Sequence, residues 1–294
     1  MPFWQLTVPA SPDTSDGLTN FLWEQGALGV VEEEAPSERA RVRAFFPESA
    51  SSTDLLKAVR GYRASLSSLG FAVAADEPEI APLLDAAWAS AWQQSFPARA
   101  IGERLLVMPP WEAAREASRI PLIIEPGRAF GTGQHGSTEG CLALLERALA
   151  ARRAPRVLDV GTGSGILAIA AAKLGAAEVL AIDVDPDAIA AATANVERNG
   201  GGHVEIALTE PAAVSAPPFD VVVANLLAHT HVSLAGIYTG LVARGGTLIL
   251  GGILAGEEAP VIHALAAVAF EHAESLLIDG WSSIRLARVP DSGP

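Results

Sequence analysis

The stretch with the most chemical potential is "VLDVGTGSGILAIAA", where Gly161, Gly163 and Gly165 separate a buried apolar run from an Ala-rich helical pattern. Glycines at a strand-to-helix turn let the backbone approach a ligand closely and offer it the N–H groups of the helix start. Asp183 ends the next strand-like run, "EVLAIDV", where a carboxylate can accept two hydrogen bonds from a ribose diol. A G-x-G-x-G signal is weak alone; with that carboxylate it points to an adenosine-containing cofactor.

A nicotinamide dinucleotide would prefer G-x-G-x-x-G, in which the third glycine allows close helix–sheet contact around a pyrophosphate. Here that position is Ile166. S-adenosylmethionine has no pyrophosphate, so the residue after the turn need not be small, and the loop backbone can meet the methionine carboxylate or amine. Asn225 ends "VVVANLL", on the edge where parallel strands deliver ligand-binding side chains. The plainer alternative is a strand-end asparagine bonding its own turn. DNA and glutamine methyltransferases often place Pro-Pro-Tyr after this position. Leu226, Leu227 and Ala228 stand there instead, so a planar substrate would lose its platform.

A second glycine-rich stretch, "IIEPGRAFGTGQHGSTEG", precedes the first. It reads either as a loop that meets the ligand or as a turn in which Ser or Thr caps a helix starting near Ser137. No metal is expected: His229 and His231 are two residues apart, which puts them on different sides of a helix, and no carboxylate pair completes a site. Neither a G-x-S-x-G elbow nor a P-loop occurs.

From about residue 155 strands and helices alternate, which requires a parallel sheet covered on both faces. "DPDAIAAATANVERNG" is a helix with Asp185 as N-cap, Pro186 at its first position and Gly200 just past its end. "AESLLIDGWSSIRLARV" holds two strands joined at Asp279-Gly280, an antiparallel hairpin. A parallel sheet finished in this way is a Rossmann-like class I S-adenosylmethionine-dependent methyltransferase sheet, not the standard dinucleotide fold. The N-terminal runs "FWQLTVPA", "TSDGLTNFLWEQGA", "LGVVEEE", "ARVRAFFP", "STDLLKAVRGYRASLSSLG" and "FAVAADE" give β-α-β-β-α-β, a small α+β ferredoxin-like domain over residues 1–76. Between the two, residues 77–120 read as a linker helix and connecting segment in which Trp88, Trp92 and Phe96 form a stripe that either packs one domain on the other or stacks on a ligand. The catalytic domain is then 121–294.

The chain has 294 residues, enough for two domains with real cores, and half of them are hydrophobic. Its formal charge of −14 opposes direct nucleic-acid binding and suits a basic protein partner. With one cysteine, Cys141, it can form no intrachain disulfide. The N-terminus lacks a signal-peptide pattern and no apolar stretch reads as a membrane span, so the expected location is cytoplasmic.

The segments "GERLLVMPPW", "EPGRAFGTGQHGST", "VLDVGTGSGILAIAAAKLGA", "IDVDPDAI" and "VVVANLLA", in this order, resemble the ribosomal protein L-eleven methyltransferase family (PrmA-type) across essentially the whole catalytic half. The resemblance implies transfer of methyl groups from S-adenosyl-L-methionine to lysine ε-amines and the N-terminal α-amine of one large-subunit ribosomal protein. It also implies a substrate-recognition role for the small domain. Thr138, Gly161, Asp183 and Asn225 match the family's cofactor-binding positions, and Gly163 belongs to the same turn. By the same resemblance "AFGTGQHGST" folds over the cofactor from the side opposite Gly161. Departures are small: Gly136-Ser137-Thr138 stands where Pro-Thr-Thr or Glu-Thr-Thr is usual, Thr162 where Cys is frequent, and Asn225-Leu226-Leu227 for Asn-Ile-Leu. No residue stands out as a general base, and a monomer is expected. The competing readings are a methyltransferase for another protein amine, a dinucleotide oxidoreductase and a noncatalytic binding module.

Overall fold

The computed structural model describes residues 3–27, 29–33, 40–47, 49–83, 96–112, 118–126, 133, 135–150 and 152–289. The chain divides into two compact units, Met1–Pro97 and Ala98–Pro294.

In the first unit β1 (Phe3–Pro9), α1 (Pro12–Glu24), β2 (Gly29–Glu33), β3 (Arg41–Phe46), α2 (Ser52–Ser68) and β4 (Glu79–Leu83) follow the expected order. The sheet order is β2-β3-β1-β4, antiparallel throughout. Alternate residues Leu6, Val8, Val42 and Ala44 form a core with Leu18 and Leu22 of α1 and Leu55 and Val59 of α2.

The last strand differs from expectation. "FAVAADE" is not a strand, because its carbonyls are taken by side chains: Arg63 of α2 donates to those of Ala74 and Asp76, and the Ser11 hydroxyl donates to that of Ala72. The ladder forms only at Glu79–Leu83, so a domain boundary at residue 76 falls one strand short. Phe96 is buried. Trp88 and Trp92, and with them the linker helix, lie outside the described residues.

The rest of the expected linker belongs to the second unit. There β5 (Arg99–Ile101), β6 (Leu105–Met108) and β7 (Ile120–Ile123) make a three-stranded sheet, in which β5–β6 is antiparallel and β6–β7 parallel. It is tied to α3 (Gly136–Ala150) by the buried Glu146 carboxylate, which accepts the Glu103 N–H at 3.1 Å.

Next come β8 (Arg156–Val160), α4 (Ile166–Lys173), β9 (Glu178–Asp183), α5 (Pro186–Arg198), β10 (Val204–Leu208), β11 (Phe219–Asn225), α6 (Ala228–Leu241), β12 (Val242–Leu254), α7 (Glu258–Ala266), β13 (Phe270–Ile278) and β14 (Trp281–Arg288). The seven-stranded sheet has the order β10-β9-β8-β11-β12-β14-β13, and β14 runs antiparallel to both its neighbours. Side chains of the central strands alternate between two cores. Val157, Val221, Val223 and Ile249 face α3 and α4, whereas Leu158, Val222, Leu248 and Leu250 face α6 and α7. Asp279 and Gly280 have φ of 49° and 79°, the paired positive values of a two-residue hairpin turn that matches strand twist. Asp185 caps α5 by accepting the Asp187 N–H at 2.9 Å, and Gly200 follows with φ of 99°. Among the described residues no helix is long and apolar enough to cross a membrane.

Candidate cofactor site

Strand order reverses between β8 and β11, which puts the carboxyl ends of β9, β8 and β11 side by side at a topological switch point, the usual place for a ligand in an open α/β sheet. The glycine turn leaves β8 with φ of 71°, 54° and 83° at Gly161, Gly163 and Gly165. The Ile182 carbonyl pins it to the end of β9 by accepting the N–H groups of Gly161 and Thr162, both at 2.9 Å. At Gly165 a Cβ would stand 3.2 Å from the Cα of Ala192, so the missing side chain lets α5 pass close behind the turn.

Asp183 does more than the sequence implied. Its Oδ2 accepts the Gly163 N–H at 3.0 Å, and its Oδ1 accepts those of Val184 and Asp185 at 2.8 and 3.1 Å. Three of the roughly four acceptor positions of the carboxylate are thus occupied by backbone. One direction remains for a ligand hydroxyl, so a diol that claimed both oxygens would share them with the turn.

Thr138 and Asn225 meet on the other side. Thr138 is fully buried in the first turn of α3, and its Oγ1 accepts from Asn225 Nδ2 at 3.3 Å. The other half of the amide, Asn225 Oδ1, is buried and has no hydrogen-bond partner among the described residues. The two halves of the site touch at Gly161, where a Cβ would lie 2.6 Å from Cδ2 of Leu226. Thr138 thus touches Asn225, Gly163 touches Asp183, and Gly161 lies against Leu226, the residue that follows Asn225.

The second glycine-rich stretch is described only at its ends, since residues 127–132 and 134 lie outside the described residues. Gly133 sits where a Cβ would approach Ile166 Cδ1 to 3.1 Å, so the side chain that replaces a dinucleotide-type third glycine packs against this stretch. His135, not Ser137, caps α3: its Nδ1 accepts the Ser137 N–H at 3.4 Å and lies 2.7 Å from the Ser137 hydroxyl. The His135 ring also packs on Trp281 of β14, with centroids 4.5 Å apart.

Three buried polar residues went unnoticed in the sequence: Asp159, Asn195 and, as a structural group, His231. Asp159 Oδ2 accepts from Thr162 Oγ1 at 2.7 Å and from the Ala168 N–H at 3.1 Å, joining β8, the turn and the start of α4. Burial, with a smaller contribution from Asp183, pushes its carboxyl up to about 7 against the usual 3.8. His231 is held neutral. Its Nε2 donates to the Gly251 carbonyl at 2.8 Å and its Nδ1 accepts from Tyr238 Oη at 3.1 Å, while burial lowers it to about 4. The Cys141 thiol, buried beside Ser283, is pushed up to about 12 and is unreactive at neutral pH.

Asp159 predicts a measurable pH effect. An unfolded carboxyl ionises near 3.8 while the folded one keeps its proton to about 7, so its contribution to stability is complete below pH 4 and is lost as pH rises through 7. Asp159→Asn keeps an oxygen for Thr162 and Ala168 but has nothing to ionise. Its unfolding free energy relative to the unsubstituted protein should rise by up to about 4 kcal/mol between pH 4 and pH 8. The opposite loss from His231 between pH 6.5 and 4 is common to both proteins and cancels. Urea unfolding across that range measures the difference, and parallel pH curves would refute the assignment.

The fold agrees with what the chain is similar to. The family model for ribosomal protein L11 methyltransferase (PrmA) matches residues 2–289. A ribosomal protein L11 methyltransferase of Ectopseudomonas mendocina (strain ymp) is 36% identical, covering 97% of this chain and 98% of that protein. One from Geobacter sulfurreducens is 40% identical over 82% of each. Among solved structures, the ribosomal protein L11 methylase of Lactobacillus delbrueckii subsp. bulgaricus superposes with a TM-score of 0.61 at 30% identity, covering 66% of this chain and all of that one. By its full-length match and its fold, the chain belongs to the ribosomal protein L11 methyltransferase (PrmA) family.

Proposed function

We propose that this protein methylates lysine ε-amines and the N-terminal α-amine of ribosomal protein L11, with S-adenosyl-L-methionine as methyl donor held by Thr138, Gly161, Gly163, Asp183 and Asn225. The observation that carries the reading is the convergence of the glycine turn, a carboxylate with one acceptor direction left and the unpartnered Asn225 Oδ1 at the switch point of the sheet. These groups suit the cofactor: the Cβ-free turn admits close backbone approach, Asp183 can take a ribose hydroxyl, and Asn225 and Thr138 supply polar atoms on the facing wall.

The sulfonium of the bound cofactor makes its methyl group electrophilic, so this chain's task is alignment. A lysine amine, with an ordinary pKa near 10.4, must be neutral to attack. Asn225 Oδ1 can accept one N–H of that neutral amine and so aim its lone pair, and water takes the surplus proton. A carboxylate at that position would hold the ammonium form instead. Leu227, exposed beside Asn225, offers apolar surface to the lysine stem. Asn225→Ala should lower kcat by about tenfold or more at saturating cofactor and substrate, the equivalent of one oriented hydrogen bond. Unchanged kcat would remove Asn225 from this role.

The first unit is proposed to recognise the ribosomal protein, and the enzyme to act as a cytoplasmic monomer, a state that light scattering would check. The decisive test is mass spectrometry of L11 after incubation with the protein and S-adenosylmethionine. Methyl increments confined to amines are expected, and a chain beginning at Ala98 should bind S-adenosylhomocysteine yet leave L11 unmodified. Cofactor binding without any increment on L11 would replace the substrate and keep the reaction class. Tight binding of a reduced nicotinamide dinucleotide instead would favour the oxidoreductase reading.

A further inference from the structure

Asn195 of α5 and Asn199, the residue at its C-cap, take the place of a neighbouring strand. Asn199 Oδ1 accepts the Ile123 N–H at 3.0 Å, while its Nδ2 donates to the Ile123 carbonyl at 2.6 Å and to the Asn195 carbonyl at 2.9 Å. One turn earlier, Asn195 Oδ1 accepts the Glu125 N–H at 3.1 Å. Residues two apart on an extended chain are separated by about 6.6 Å, and side chains four apart on a helix by about 6 Å. The two amides therefore match the repeat of the segment leaving β7.

Asn195 also reaches the glycine turn, where its Nδ2 donates to the Ser164 carbonyl at 2.9 Å. The residue is 2% exposed. Arg198 Nη1 donates to the same Oδ1 at 2.9 Å, and Arg198 ion-pairs with the Glu125 carboxylate. Donors on one side and a carbonyl on the other permit a single orientation of the amide. The Ser164–Gly165 peptide is fixed at both ends, because its N–H donates to the Thr162 carbonyl at 2.9 Å while its C=O is held by Asn195.

We propose that Asn195 is a positioning residue for cofactor binding. It sets the glycine turn against the chain leaving β7, and through one peptide plane it sets the aim of the turn's backbone. The proposal rests on the cofactor reading given above. Without the amide, the Ser164 carbonyl loses its buried donor and the turn relaxes, a cost that falls on the cofactor and spares the protein substrate.

The test compares the unsubstituted protein with Asn195→Ala, Asn195→Asp and Arg198→Met, using calorimetry with S-adenosylhomocysteine and steady-state kinetics on both substrates. Asn195→Asp keeps the acceptor for Glu125 and Arg198 but sets an oxygen against the Ser164 carbonyl. Both Asn195 variants should raise the S-adenosylhomocysteine Kd and the cofactor KM at least tenfold, with the KM for L11 within twofold. Arg198→Met, at a partly exposed position that does not threaten folding, should give a rise of about threefold. A role in stability alone would lower Tm without separating the two KM values. The proposal is overturned if Asn195→Asp binds within twofold of the unsubstituted protein or shifts both KM values alike. Should the Asn195 variants not fold, an unchanged Kd in Arg198→Met overturns it. Failure of the unsubstituted protein to bind S-adenosylhomocysteine refutes the cofactor reading itself, before any variant is compared.

Discussion

Asp183→Ala should weaken binding of S-adenosylmethionine and S-adenosylhomocysteine by at least about 100-fold, close to 3 kcal/mol. Two losses combine. The ribose loses a charged acceptor, a contact generally worth about 1.5–3 kcal/mol. The turn loses the carboxylate that gathers the N–H groups of Gly163, Val184 and Asp185, so its backbone is no longer arranged before the ligand arrives. Asp183→Asn separates these losses, because an amide keeps one accepting oxygen but turns an NH2 group toward donors on the other side. It should fall between the alanine variant and the unsubstituted protein. Calorimetry decides the matter, and an alanine variant binding within threefold of the unsubstituted protein would remove Asp183 from the site.

Gly252→Ala should cost stability and activity together. Gly252 lies in β12 at φ of 73°, where the register with β14 shifts between Leu250 and Ile253. A left-handed conformation costs a residue with a Cβ about 1–2 kcal/mol. The added Cβ would also overlap the Leu226 carbonyl oxygen and stand 2.8 Å from its carbon and 3.1 Å from its nitrogen. Backbone cannot rotate aside as a side chain can, and overpacking of this kind adds about 1–3 kcal/mol. Any relief moves Leu226, and with it the neighbouring Asn225. Gly256→Ala is the control: its φ is 95°, but no atom lies within 4 Å of the new Cβ. Thermal unfolding of both variants should show a much larger loss for Gly252→Ala, with a fall in kcat confined to that variant. Equal losses would mean that the Leu226 contact contributes nothing.

The sequence by itself determined what depends on residues close together in the chain. The glycine turn, the Asp185 cap, the Asp279-Gly280 hairpin and the strand ends carrying Asp183 and Asn225 were legible because φ preference, capping and side-chain period are local properties. The class of sheet followed from their order. The tertiary structure decided what depends on competition between partners distant in sequence. "FAVAADE" has strand chemistry, yet Arg63 and Ser11 claim its carbonyls, so the ladder forms at Glu79–Leu83. The short strands between Arg99 and Ile123 carry too little periodicity to be read alone, and they exist because they pair with one another. Asp159 could not be told from an ordinary strand-end acid until its burial was known. Asn195 did leave a trace: it falls in the stripe Ala188, Ala192, Asn195 and Val196, whose other members are small and apolar. A polar residue on a buried helix face requires partners, and only the folded chain could bring Ser164 and Glu125 to it.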